Sequence, residues 1–268
     1  MSPPRPAGGD PWLRVFRGGA HAGLRLVCLP HAGGSAGFFQ PWAARLPDSV
    51  DLLAVRYPGR QDRLAEPCVE EMDLLADRVT ESLTPYLDRP LALFGHSMGA
   101  SVAYEVAIRL EDRLGVVPRV LFVSGHGAPH VTRLDQRPDD LDDEEFLARI
   151  AALGEVDPVV FRSPKLRELV VPALRADLRL IHGYLPRAAR AVSAPISAYL
   201  GTGDPACDRE SVAAWAELTT GGFRLRAFPG DHFYLVPART ELLADLTAQL
   251  DGRPTTPRAA ATVTGHLT

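Results

Sequence analysis

Lysine is almost missing from this chain: of 29 lysine and arginine residues, Lys165 alone is a lysine. The arginine bias reads first as a GC-rich coding preference and only second as a functional choice. The formal net charge of −4 gives no overall basic footprint for nucleic acid, although a local basic face stays open. Cysteine is scarce as well. Cys28, Cys68 and Cys207 form an odd, scattered set with neither a disulfide framework nor a zinc spacing. No apolar run is long enough to span a bilayer. Residues 1–10 are rich in proline and glycine and lack the apolar stretch of a signal peptide, so a reducing, cytoplasmic setting is expected. What is present is ordinary for a globular protein: 268 residues, 46% hydrophobic and 23% charged. That is enough for one large domain over 1–268, with loose termini at 1–10 and 252–268.

Apolar runs alternate with helical patterns, which predicts an α/β fold with a mostly parallel sheet. Strands are expected at 24–29, 51–57, 91–95, 119–124, 196–200 and 223–228. Helices are expected at 37–46, 70–87, 98–114, 208–218 and 237–250. The rhythm changes after residue 124. Asp142 and Glu145 have the spacing of a capping box opening a helix to 153. Ser163-Pro164 opens a second, with serine as cap and proline in the first turn. No strand separates them, so residues 130–188 read as a helical insertion rather than a second domain.

Gly95-His96-Ser97-Met98-Gly99 matches G-x-S-x-G between a predicted strand and a predicted helix. That is the context of a nucleophile elbow, a strained turn that projects one hydroxyl at the carboxyl end of the sheet. Residues two before and two after the serine must be tiny to avoid collision. The competing reading, a serine N-cap with incidental glycines, is weaker in that context.

A serine hydroxyl is a poor nucleophile until a base takes its proton. Of eight histidines, His21, His266, His96 and His182 lie badly for that task. His232, in "FPGDHFYL", follows a late strand and returns to the carboxyl edge of the sheet, which makes it the first choice. His126 and His130 are the alternatives. The imidazole needs a carboxylate to hold its tautomer. Asp204 sits on the glycine-rich turn "GTGDP" after strand 196–200, and the order Ser97, Asp204, His232 is the one expected of such hydrolases. Asp231 adjoins His232, but neighbouring side chains diverge. Two backbone N–H groups must receive the oxyanion: Met98, next to the nucleophile, and Ala32 in the loop Pro30-His31-Ala32-Gly33-Gly34. That loop lacks the spacing of a nucleotide-binding motif.

Together "LPHAGGSA", "RYPGRQDR", "LFGHSMGA", "GTGDP" and "GDHFYL" resemble the type II thioesterases, free-standing editing enzymes of polyketide and non-ribosomal peptide synthase systems. The resemblance runs from about residue 24 to 250. It implies an α/β-hydrolase with a helical lid at 130–188, a Ser97–His232–Asp204 triad and an oxyanion hole at Ala32 and Met98. It implies hydrolysis of stalled or wrong acyl groups from the phosphopantetheine thiol of acyl or peptidyl carrier domains, with no cofactor beyond the arm that brings the substrate. One departure stands out: His126-Gly127 occupies a place where many relatives carry two basic residues. Carrier domains are usually acidic, which makes Arg56, Arg60, Arg63, Arg162 and Arg167 candidates for docking, against the plain alternative of solvated arginines. A general carboxylesterase or lipase, a non-catalytic binding module and an excised chain-terminating thioesterase domain remain as other readings. No nucleic acid or membrane partner is expected.

Overall fold

The computed structural model describes residues 10–19, 22–131, 138–153, 163–184 and 189–252. Seven strands form one sheet in the order β1-β3-β2-β4-β5-β6-β7. They are β1 (Leu13–Arg17), β2 (Leu24–Leu29), β3 (Val50–Val55), β4 (Leu91–His96), β5 (Leu121–Ser124), β6 (Ile196–Gly201) and β7 (Phe223–Phe228). β1 runs antiparallel to β3, and every other pair is parallel. The expected α/β-hydrolase class, a mostly parallel sheet flanked by helices, is therefore what the chain forms.

Side-chain alternation along each strand divides the interior into two layers. In β2, Val27 and Leu29 join the core that also holds Leu75, Val79, Val102 and Val106 from helices α1 (Met72–Leu83) and α2 (Met98–Leu114). Leu26 and Cys28 point the other way, onto Phe39, Trp42, Leu242 and Leu246. The last two belong to the C-terminal helix, Arg239–Leu250. With both faces covered, β2, β3, β4 and β6 are buried throughout, which is why they read as continuous apolar runs.

Several boundaries differ from the sequence reading. β1 precedes the first expected strand; it is an edge strand with only Leu13 buried and Val15 at the surface, too little for an apolar run to show. The expected helix at 37–46 is a 3-10 turn, Ala36–Trp42, with Pro41 inside it. Helix 70–87 shortens to α1 and then tightens into a 3-10 turn at Thr84–Tyr86, because Pro85 lacks the N–H that would continue it. Helix 208–218 likewise divides into Arg209–Ala213 and a 3-10 turn, Ala214–Leu218. α2 keeps its expected bounds and stops at Gly115, whose φ of 64° makes the left-handed cap.

Between β5 and β6 the described residues hold two helices and no strand. α3 (Asp143–Ala152) is capped as expected, the Asp142 carboxylate accepting the Glu144 and Glu145 N–H groups. α4 (Pro164–Gly183) carries Pro164 in its first turn, but the Ser163 hydroxyl makes no cap bond; the Ser163 carbonyl accepts from Leu166 and Arg167 instead. α4 packs Leu174, Leu180 and Ile181 into the α1–α2 layer. The short helix Arg209–Ala213 is α5 and the C-terminal helix α6.

Candidate active site

From β2 the chain steps to β3 on one side and then crosses back to β4 on the other. The carboxyl ends of β2 and β4 thus flank the point where strand order reverses, the usual place for a site in an open α/β sheet. The loop holding Ala32 leaves β2 there, and Ser97 leaves β4.

Ser97 has φ 54° and ψ −125°, a conformation that non-glycine residues avoid. Its N–H donates to the Ser124 carbonyl at 2.8 Å, and its carbonyl accepts from Ala100 N–H at 2.9 Å, so neighbouring strand and helix hold the strain in place. The flanking glycines are a steric requirement. A Cβ on Gly95 would lie 2.0 Å from the Gly99 carbonyl oxygen, and one on Gly99 would lie 2.2 Å from that of Leu29. Ser97 is half-buried, and Met98 opens α2 directly after it.

His232 and Asp204 meet at the same sheet edge, delivered by the loops after β7 and β6. His232 Nδ1 lies 2.8 Å from Asp204 Oδ2. The other carboxylate oxygen accepts the Ala206 N–H at 2.8 Å, so the turn geometry expected of an aspartate here and the contact with histidine occur together. Burial alone would raise the Asp204 carboxyl; the hydrogen bond and charge of His232, the Ala206 N–H and the Cys207 thiol overcome it and hold the group below its ordinary value. Asp231 turns away and accepts the Phe233 N–H at 2.9 Å. Of the alternative histidines, His130 sits 3.1 Å from Glu217. His126 stays near the site; burial and the neighbouring His232 press its pKa down to about 4. His21 and His266, like Arg162, lie outside the described residues.

His96 directly precedes the serine and cannot fold back to serve it; its ring is fully buried behind the elbow. Its Nδ1 meets the Ser124 hydroxyl at 3.0 Å, which meets the Tyr234 hydroxyl at 2.6 Å. Its ring centroid is 5.0 Å from that of His232. Burial first, then His232 and His31, keep this imidazole well below the usual histidine range, hence neutral.

Ala32 is buried, and among the described residues no acceptor takes its N–H. Met98, buried at the first position of α2, has the N–H orientation of a helix start, where no turn precedes it to supply a carbonyl. No group of three or more histidine, cysteine or acidic side chains among the described residues is arranged to hold a metal ion.

A family model described as a thioesterase domain matches residues 24–250. The chain belongs to the thioesterase family. It is 44% identical over 240 residues to thioesterase PikA5 of Streptomyces venezuelae, covering 89% of this chain and 85% of that one. Among solved structures it is similar to the type II thioesterase BorB of the borrelidin biosynthetic cluster, with 40% identity, a TM-score of 0.83 and coverage of 90% of this chain and 98% of that chain. It is also similar to the RedJ thioesterase of the prodiginine pathway in Streptomyces coelicolor, at 41% identity, TM-score 0.80, and 86% and 87% coverage. The resemblance to type II thioesterases is therefore borne out, and thioester hydrolysis is the chemistry of this enzyme.

The arginines considered for carrier docking fare differently. Arg60 and Arg63 are 8% and 5% exposed. Arg60 is paired with Asp177 and Arg63 with Glu66, so neither offers a free charge. Arg56 pairs with Asp62, and Arg167 is half-buried. What the sequence did not indicate is that Arg60 of "YPGR" reaches α4, 117 residues away. No helix among the described residues is long and apolar enough to cross a membrane.

Proposed function

We propose that this thioesterase removes stalled or wrongly loaded acyl groups from the phosphopantetheine thiol of acyl or peptidyl carrier domains in a polyketide or non-ribosomal peptide system, using Ser97, His232 and Asp204. The observation that carries the reading is the His232–Asp204 contact of 2.8 Å at the sheet edge where Ser97 occupies its strained turn. Ser97 Oγ attacks the thioester carbonyl while His232 Nε2 takes its proton; Nδ1 is committed to Asp204, which fixes the tautomer. Ala32 and Met98 N–H groups receive the oxyanion. The carbon–sulfur bond breaks, the thiol leaves with the proton held by His232, and water activated by the same imidazole releases the acid from Ser97. No cofactor enters; the pantetheine arm arrives with the substrate.

The chain is one hydrolase domain in which, of the expected lid at 130–188, the described helices α3 and α4 cover the site and receive the acyl group beneath them. A cytoplasmic location fits a partner that is itself a synthase. A carboxylesterase on the same scaffold would prefer oxygen esters. Matched thioester and oxygen-ester substrates separate the two: the thioester is expected to have the higher kcat/KM, and preference for the oxygen ester would reject the proposal. Labelling of Ser97 by a fluorophosphonate probe, absent after heat denaturation, distinguishes an enzyme from a binding module.

A further inference from the structure

Asp177 lies on the inner face of α4, 3% exposed, among Ala173, Leu174, Leu180 and Ile181. A carboxylate so placed is costly unless it is paired and hydrogen-bonded. Its partners are unusual. Arg60 grips it with two bonds, Nη1 to Oδ2 at 2.5 Å and Nη2 to Oδ1 at 2.8 Å. Oδ2 also accepts the backbone N–H of Gly33 at 2.8 Å. Arg60 in turn donates to the Gly34 and Pro58 carbonyls at 3.3 Å each and lies over the Tyr57 ring.

The loop after β2 is therefore held from both sides. The Gly33 N–H belongs to the planar peptide that begins at the carbonyl of Ala32, so the carboxylate fixes the orientation of that whole plane. Gly33 has φ +72°, and a Cβ there would lie 2.8 Å from Leu174 Cδ1, so α4 also crowds the loop against the sheet edge. A buried ion pair is by itself weak evidence for stability. This one ties an inserted helix to the peptide beside Ala32.

We propose that Asp177, braced by Arg60, is a positioning residue for the oxyanion loop: it holds the Ala32–Gly33 peptide and thereby anchors the Ala32 Cα, from which the adjoining His31–Ala32 peptide presents the Ala32 N–H to the reacting carbonyl. The proposal deepens the hydrolase reading above and rests on it. It also makes the loop's geometry depend on α4 being seated, since displacing that helix would withdraw the acceptor from Gly33.

The test uses the full chain and an acyl N-acetylcysteamine thioester, a small mimic of the loaded arm. The double variant Arg60→Met/Asp177→Leu replaces both charges with apolar groups, a change that often leaves stability unaltered. It is expected to stay folded yet lose about 10–100-fold in kcat with KM within about threefold, because a misaimed donor costs somewhat less than a deleted one. Asp177→Asn, which keeps an oxygen for the Gly33 N–H, is expected to hold kcat within about threefold of wild type. Asp177→Ala, read at a temperature where circular dichroism shows it folded, provides a second loss variant. Wild-type kcat in both loss variants, or no rescue by asparagine, overturns the positioning role. A wild-type protein inactive on the thioester overturns the hydrolase reading itself, so the two failures are distinct.

Discussion

Asp204 and His232 stand 28 residues apart in the chain, on loops leaving two neighbouring strands, and meet through a 2.8 Å contact between Oδ2 and Nδ1. The carboxylate engages Nδ1 of the ring, which in the proposed mechanism leaves Nε2 to take the proton of Ser97. Asp204→Asn offers an amide in its place and favours the wrong tautomer. It is expected to lower kcat by up to about 10⁴-fold with little change in KM. Steady-state kinetics on a small thioester, with a thermal melt to verify folding, checks this; a loss under tenfold would deny Asp204 that role.

The elbow makes a sterner demand on the backbone. Gly99→Ala would push a methyl to 2.2 Å from the Leu29 carbonyl oxygen and 2.6 Å from that of Pro30, and backbone atoms cannot swing aside as a flexible side chain would. The variant is expected to lose roughly 3 kcal/mol or more, or to fail to fold. Denaturant unfolding measures it, and a wild-type midpoint would contradict the steric account.

Much of this site is legible in the amino-acid sequence alone. Strands buried on both faces announce themselves as apolar runs, so β2 falls at its expected bounds and β4 and β6 within one residue of theirs, and a serine flanked two residues away by glycines fixes the elbow. What the sequence conceals is pairing over distance. Arg60 reads as a surface charge because nothing local shows that Asp177 arrives from an inserted helix to neutralise it. Edge strand β1 escapes because one buried residue, Leu13, makes no pattern. The expected helix at 37–46 fails because Pro41 and tight packing of Phe39 and Trp42 favour a 3-10 turn over apolar periodicity.

Acid should weaken the fold earlier than carboxylate titration alone would. His126 is held down to about 4 by burial and by His232, and His96 lies well below the usual histidine value for the same reasons. Between the ordinary histidine value of about 6.5 and these lower ones, the unfolded chain binds protons that the folded chain refuses. Stability therefore falls as pH drops through that window. Asp204 acts at lower pH: its depressed carboxyl stabilises above the ordinary carboxylate range, and that contribution is lost as pH falls through its folded value. Melting temperatures from about pH 7.5 to about pH 4.5 are expected to decline, and His126→Gln to flatten the decline. Parallel curves for the two proteins would remove His126 from the explanation.

A second buried carboxylate braces the far side of the sheet. Asp245 on α6 accepts from the Tyr199 hydroxyl at 2.7 Å and from Arg224 and Arg226 at 3.0 and 2.8 Å. Asp245→Ala is expected to cost about 2–3 kcal/mol, below the usual toll for breaking a buried pair because both arginines reach solvent. Urea unfolding reads this, and kcat on the folded variant should match wild type, since the network lies away from Ser97.

The central claim is that Ser97 hydrolyses carrier-bound thioesters. Intact-mass spectrometry of an acyl-loaded carrier protein, incubated with wild type or with Ser97→Ala, tests it most directly. The account predicts that the wild type returns the carrier to its free-thiol mass while the alanine variant leaves the acyl mass in place. Equal loss of the acyl group with both proteins, or retention with both, would contradict it.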